Sequence, residues 1–150
     1  MKLKSIDVVR PLIKEPPPNT LMLTLYYPYM VFHIKVIIRR AWGGSSSLHG
    51  FVTIDMARSL VFLSDSMPNT FQAKVPVNLI IPDRISEEKA LSLAKKKMVY
   101  VAMRKYKIVL PPKVEVVESK KVYKQFWLVK VKDRKYIVDS LTGESEEYRD

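Results

Sequence analysis

Few residues in this 150-residue chain have the types and spacing that chemistry needs. There is no cysteine, which excludes disulfides, thiolate metal sites and a cysteine nucleophile. The two histidines, His33 and His49, fall in an alternating apolar stretch and in a Gly/Ser-rich loop. Ser45, Ser46 and Ser47 precede His49, but a serine nucleophile is defined by its geometry with a base and an orienting acid, and serine-rich loops are common. His33, His49 and Asp55 together could supply three metal ligands, yet no HxH or HxxxH spacing supports them. Glu144, Glu146, Glu147 and Asp150 form an acidic cluster that reads as a solvated tail. No phosphate-binding glycine loop, dinucleotide fingerprint or nucleophile elbow occurs. The expectation is a non-enzymatic protein with no catalytic residue, no metal site and no cofactor.

Charge is the stronger signal. The net charge is +11 and it is unevenly placed: residues 1–85 carry +5, residues 86–135 carry +10, and residues 136–150 carry −4. The candidate binding face is therefore basic: Lys95, Lys96, Lys97, Arg104, Lys121, Lys124, Lys130, Lys132, Arg134 and Lys135. Such a face attracts nucleic acid, anionic lipid or an acidic protein. Several of these cations alternate with Tyr123, Phe126, Trp127 and Tyr136, the composition of a single-strand platform if the rings are exposed. The alternation of apolar residues instead puts Trp127 and Tyr136 in a core.

The elements that must carry these residues follow from periodicity. The 47% apolar content over 150 residues suits one domain with a core of its own. A helix is expected over about residues 86–106. Ser86 is its N-cap, Glu87 and Glu88 complement the positive end of the dipole, and Leu91, Ala94, Met98, Val101 and Ala102 form an apolar stripe that Ala90 and Leu93 widen. After Pro111 and Pro112, residues 113–118 and 122–131 read as strands, residues 132–135 as a polar hairpin turn and 136–138 as the return. Asp139 to Gly143 closes it: an Asp accepts from amides two or three residues on, and Gly leaves the turn at positive φ. Asp139 and Gly143 are thus structural turn residues.

Upstream, residues 3–13 allow a short strand ending near Pro11, and residues 15–19 are a stiff polyproline connector. Residues 20–41 are the longest strand candidate, with Pro28 marking a bulge, kink or edge and Phe32, Ile34, Val36 and Ile38 on one face. Residues 42–50 are a Gly/Ser loop, residues 51–54 a return strand, and Asp55 to Ser59 a turn into residues 60–63. Residues 64–84, with three prolines, read as an extended crossover with a short strand near 77–81. The apolar run 21–38 is long enough to cross a bilayer. Pro28, His33 and Lys35 interrupt it, however, and an interior Lys costs roughly 2.5–3.5 kcal/mol on insertion scales. No apolar run directly follows the basic N-terminal residues, which argues against a signal peptide and leads to the expectation of a cytoplasmic protein without a membrane span. Scarce Asn and Gln, with abundant Lys, Glu, Ile and Val, give a thermophile-like composition.

Two segments resemble each other. Phe32-His33-Ile34-Lys35-Val36 aligns with Trp127-Leu128-Val129-Lys130-Val131, and Ile54-Asp55-Met56-Ala57-Arg58-Ser59 with Val138-Asp139-Ser140-Leu141-Thr142-Gly143. The later copy resembles a PepSY-like domain over about residues 85–144. Ile85-Ser86-Glu87-Glu88-Lys89-Ala90 opens the helix, Phe126 to Val131 is the next strand, and the V-D-x-x-T-G turn follows it. The resemblance implies a helix packed on an antiparallel sheet and a non-catalytic role in binding or restraining another protein. Arg58-Ser59 stands where the later copy has Thr-Gly.

The fold class expected from these observations is α+β: one main helix on an antiparallel sheet, built from a duplicated hairpin. A single domain would comprise an N-terminal hairpin lobe (1–84), a helix-hairpin lobe (85–144) and an acidic tail (145–150). The expected function is a binding or regulatory module with a protein partner. A basic nucleic-acid-binding protein is the alternative, and a homodimer is compatible with either.

Overall fold

The computed structural model describes residues 1–13, 21–108 and 110–148. The polyproline connector at 15–19 lies outside these residues. The elements in order are β1 (Leu3–Val9), β2 (Leu21–Arg39), β3 (Ser45–Asp55), β4 (Val61–Ser64), β5 (Thr70–Pro76), a 3-10 turn (Val77–Leu79), α1 (Glu87–Lys105), β6 (Lys113–Val131), β7 (Arg134–Asp139) and β8 (Ser145–Tyr148). No helix among the described residues is long and apolar enough to cross a membrane.

The expected fold class is corrected. The described residues are mostly sheet, 55% strand and 16% helical, with one helix and strands paired in both senses rather than a helix on a small antiparallel sheet. Most pairings are antiparallel, but β1 pairs β6 in parallel at Val8 and Tyr123. The excess of strand has a physical origin. β6 runs unbroken through the charged segment 118–121, where the sequence suggests a gap, because a polar residue is tolerated wherever its side chain faces water. Segments read as crossover and tail also supply β5 and β8.

The chain divides into two compact units. One comprises residues 29–67 and 83–121, the other residues 1–28, 68–82 and 122–150. In the first, β2 pairs β3 from Tyr29–Asp55 to Arg39–Ser45, and β3 pairs β4. The period-two pattern decides the faces: Phe32, Ile34, Val36 and Ile38 are all buried, with Val52 and Ile54 beside them. α1 covers this face through Ala90, Ala94, Met98 and Ala102, spaced four apart. Three of the four are alanines, so the helix approaches closely, and Gly50 on β3 leaves room for Met98. Ser86 caps the helix by accepting from the Lys89 N–H at 3.1 Å.

In the second unit β5 pairs β1, β7 pairs β6, and β8 pairs β7, all antiparallel. Ile6, Val8, Val75 and Tyr123 form its core cluster. Trp127 and Val129 are buried, as the alternation predicts, while Val131 is exposed at the hairpin end. The segment read as a solvated acidic tail adds β8 beside β7, placing Glu146 and Glu147 opposite Ile137 and Tyr136.

The two hairpins close with one pattern. In the first, the Asp55 N–H donates to the Leu60 carbonyl and the Ser59 N–H to the Asp55 carbonyl. In the second, the Asp139 N–H donates to Glu144 and the Gly143 N–H to Asp139. Ser59 and Gly143 both take positive φ, 62° and 77°. Met30 pairs Ile54 while Trp127 pairs Val138, so Met30, not Phe32, stands where Trp127 stands. The side-by-side reading of the strands is therefore displaced by two residues, a shift that period two leaves invisible.

Candidate functional site

Asp139 and Gly143 lie at the turn between β7 and β8. Asp139 Oδ1 accepts from the Leu141 N–H at 2.8 Å, while its Oδ2 lies 2.6 Å from the Lys124 Nζ. Asp55 is buried, and its Oδ1 accepts from the Ala57 and Arg58 N–H groups at 3.0 and 2.8 Å. That carboxylate is committed to its own turn and does not join the two histidines. Among the described residues no group of three or more His, Cys, Asp or Glu could hold a metal ion.

The ten cations of the expected basic face divide evenly. Lys95, Lys96, Lys97, Arg104 and Lys121 belong to the helix-bearing unit; Lys124, Lys130, Lys132, Arg134 and Lys135 belong to the other. Lys121 is ion-paired with Asp83, and Lys124 with Asp139. On α1, Lys97 and Arg104 lie 5.9 and 5.8 Å from the Tyr100 ring, a cation–π arrangement around an exposed aromatic. In the other unit, Lys130 and Lys135 sit directly opposite each other across β6 and β7, beside the acidic β8 strand. The aromatic residues of this sheet are not a stacking platform: Tyr123 and Trp127 are buried, and Phe126 and Tyr136 are partly so.

Two features were not among the residues singled out from sequence. The first is a cleft of about 270 Å³ lined by Ile38, Arg39, Arg40, Trp42, Tyr106 and Lys107 among others. Arg40 Nη2 donates to Ser46 Oγ at 2.7 Å, which ties one guanidinium to another residue of the lining. Trp42 is 97% exposed, an indole standing in water beside two arginines. The run Arg39-Arg40-Ala41-Trp42 was legible as a signal, but its partner Lys107 lies too far along the chain to be linked to it by pattern.

The second feature is the β4 edge. β4 pairs only β3 among the described residues, leaving its outer backbone groups without a strand partner. Leu60, Phe62 and Leu63 there are 44%, 48% and 51% exposed. α1, with its cations, packs against β3 and reaches β4. An apolar edge with unused hydrogen-bonding groups is a template for another strand.

No protein-family model, curated protein or solved structure matches this chain.

Proposed function

We propose that the protein is a non-enzymatic interaction module that takes an extended, acidic segment of a partner protein along the β4 edge. The carrying observation is the exposure of Phe62 and Leu63 on a strand with one neighbour among the described residues, with exposed Leu60 just before it. Strand addition draws affinity from main-chain hydrogen bonds and selectivity from alternate side chains, so Phe62 and Leu63 would each contact one face of the added strand. The charge of +11 and the cations of the adjoining helix favour an acidic partner.

A photo-crosslinking residue at position 62 or 63 in the native host tests this. The expected result is one dominant adduct mapping to an extended acidic segment, lost when the other position carries lysine. Adducts no stronger than those from a crosslinker at Val117, an equally exposed strand position, would remove the reading.

A second reading is single-strand nucleic-acid binding, favoured by one observation: the cleft that combines Arg39, Arg40 and Lys107 with Trp42 and Tyr106. Cations that track phosphates beside a ring open to stacking are the parts such binding uses.

A further inference from the structure

We propose that His33 and His49 together form a cross-strand site for one divalent transition-metal ion of the imidazole-preferring class, Cu²⁺, Ni²⁺ or Zn²⁺. They are the chain's only two histidines, and the fold brings both to one place. In the β2–β3 ladder His33 stands opposite Phe51 and Lys35 opposite His49, which makes the histidines diagonal neighbours. They lie on the face opposite buried Phe32, Ile34 and Val52, so the ladder beneath them is anchored by the core.

The geometry is that of two ligands on one ion. His33 Nε2 and His49 Nδ1 are 3.2 Å apart. Two imidazole nitrogens bound at about 2.0–2.1 Å in a tetrahedral shell are separated by roughly 3.3 Å. The His33 ring is stacked on Phe51, with centroids 4.4 Å apart and planes at 19°, which restricts its rotation. The two imidazoles themselves are tilted by 45°. Without metal, one ring N–H donates to the other ring nitrogen; with metal, both nitrogens turn lone pairs to the ion and water fills the other positions. Imidazole ligation suits Cu, Ni and Zn and does not suit Mg²⁺. Asp55, the acid nearest in sequence, is held in its turn and supplies no ligand.

Titration with Cu²⁺ and Zn²⁺ in a non-coordinating buffer, read by calorimetry and by the electron paramagnetic resonance of Cu²⁺, tests the site. One equivalent should bind, with hyperfine coupling from two imidazole nitrogens, and Mg²⁺ should give no heat. His49→Ala, at an exposed position, should weaken binding at least about tenfold, the scale even of outer-shell losses. His33→Phe keeps a ring to stack on Phe51 and should weaken binding equally, with unchanged circular dichroism as the check on folding. Zn²⁺ should also raise the melting temperature of the wild type, because the ion bridges two strands of the folded state only. Binding that survives in both variants, or no Cu²⁺ signal from paired imidazoles, overturns the proposal.

Discussion

Gly50 on β3 and Met98 on α1 occupy one another's space: a Cβ at Gly50 would come within 2.5 Å of the Met98 Sδ and Cε atoms. Gly50 pairs Ile34, and Met98 is buried, so the tip of Met98 lies where a Gly50 side chain would otherwise stand. Gly50→Ala must displace the flexible tip of buried Met98 and should destabilise the protein by about 1 kcal/mol, the low end of overpacking costs. Met98→Ala alone should cost about 2–5 kcal/mol by leaving a cavity. The double variant should cost clearly less than the sum, since the new methyl enters the vacated space. Urea denaturation of the four proteins measures the coupling.

Ser59 and Gly143 hold the same place in two turns at φ of 62° and 77°. A non-glycine residue in this region costs about 1–2 kcal/mol. Ser59→Gly should therefore be neutral or stabilising by up to about 1 kcal/mol, after the flexible glycine's greater unfolded-state entropy is offset. Gly143→Ala should destabilise by about 1–2 kcal/mol, the backbone cost of positive φ; the Ile13 Cδ1 that would lie 2.7 Å from its Cβ is the end of an exposed side chain and can move aside. Thermal melts of the two variants should move in different directions or by clearly different amounts.

Asp55→Ala should cost about 1–3 kcal/mol, because it leaves the Ala57 and Arg58 amides without their acceptor in a partly buried turn. Asp139→Asn keeps an acceptor for Leu141 while removing the charge facing Lys124, so it should cost less than Asp139→Ala. Chemical denaturation of the three separates turn chemistry from ion pairing.

The two tryptophans should behave oppositely. Trp127→Ala empties a buried position and should cost about 3–5 kcal/mol. Trp42→Ala changes a side chain 97% exposed and should alter stability by no more than about 0.5 kcal/mol. On the second reading of function, Trp42→Ala should weaken binding to a single-stranded oligonucleotide by about 1–3 kcal/mol. Arg39→Ala and Arg40→Ala should each flatten the salt dependence by about one phosphate contact. No binding by the wild type at low salt would remove that reading.

Local physics made much of this protein legible. The Ser86 cap follows from side-chain chemistry, and Ala94, Met98 and Ala102 of the expected stripe from a 3.6-residue period; Ala90 completes the buried row, while Leu91 and Val101 are only half-buried. The buried row of Phe32, Ile34, Val36 and Ile38 follows from a period of two. The turns at Asp55 and Asp139 needed only the reach of a carboxylate to nearby amides. Non-local pairing decided the rest. Apolar alternation placed β2 to within two residues but could not tell that β3 and β6 run on through a Gly/Ser and a charged segment, because a strand's length depends on the neighbours that accept its hydrogen bonds. It could not distinguish pairing Ile54 with Phe32 from pairing it with Met30, because either keeps the same face inward. Nor could it report that the helix stripe would cover the β2–β3 face, that Lys121 and Lys124 would meet Asp83 and Asp139, or that Lys107 would join Arg39 and Arg40. His33 and His49 show the division most clearly. Their spacing argued against a metal site, since sixteen residues separate them, and only the β2–β3 register turns their nitrogens toward each other.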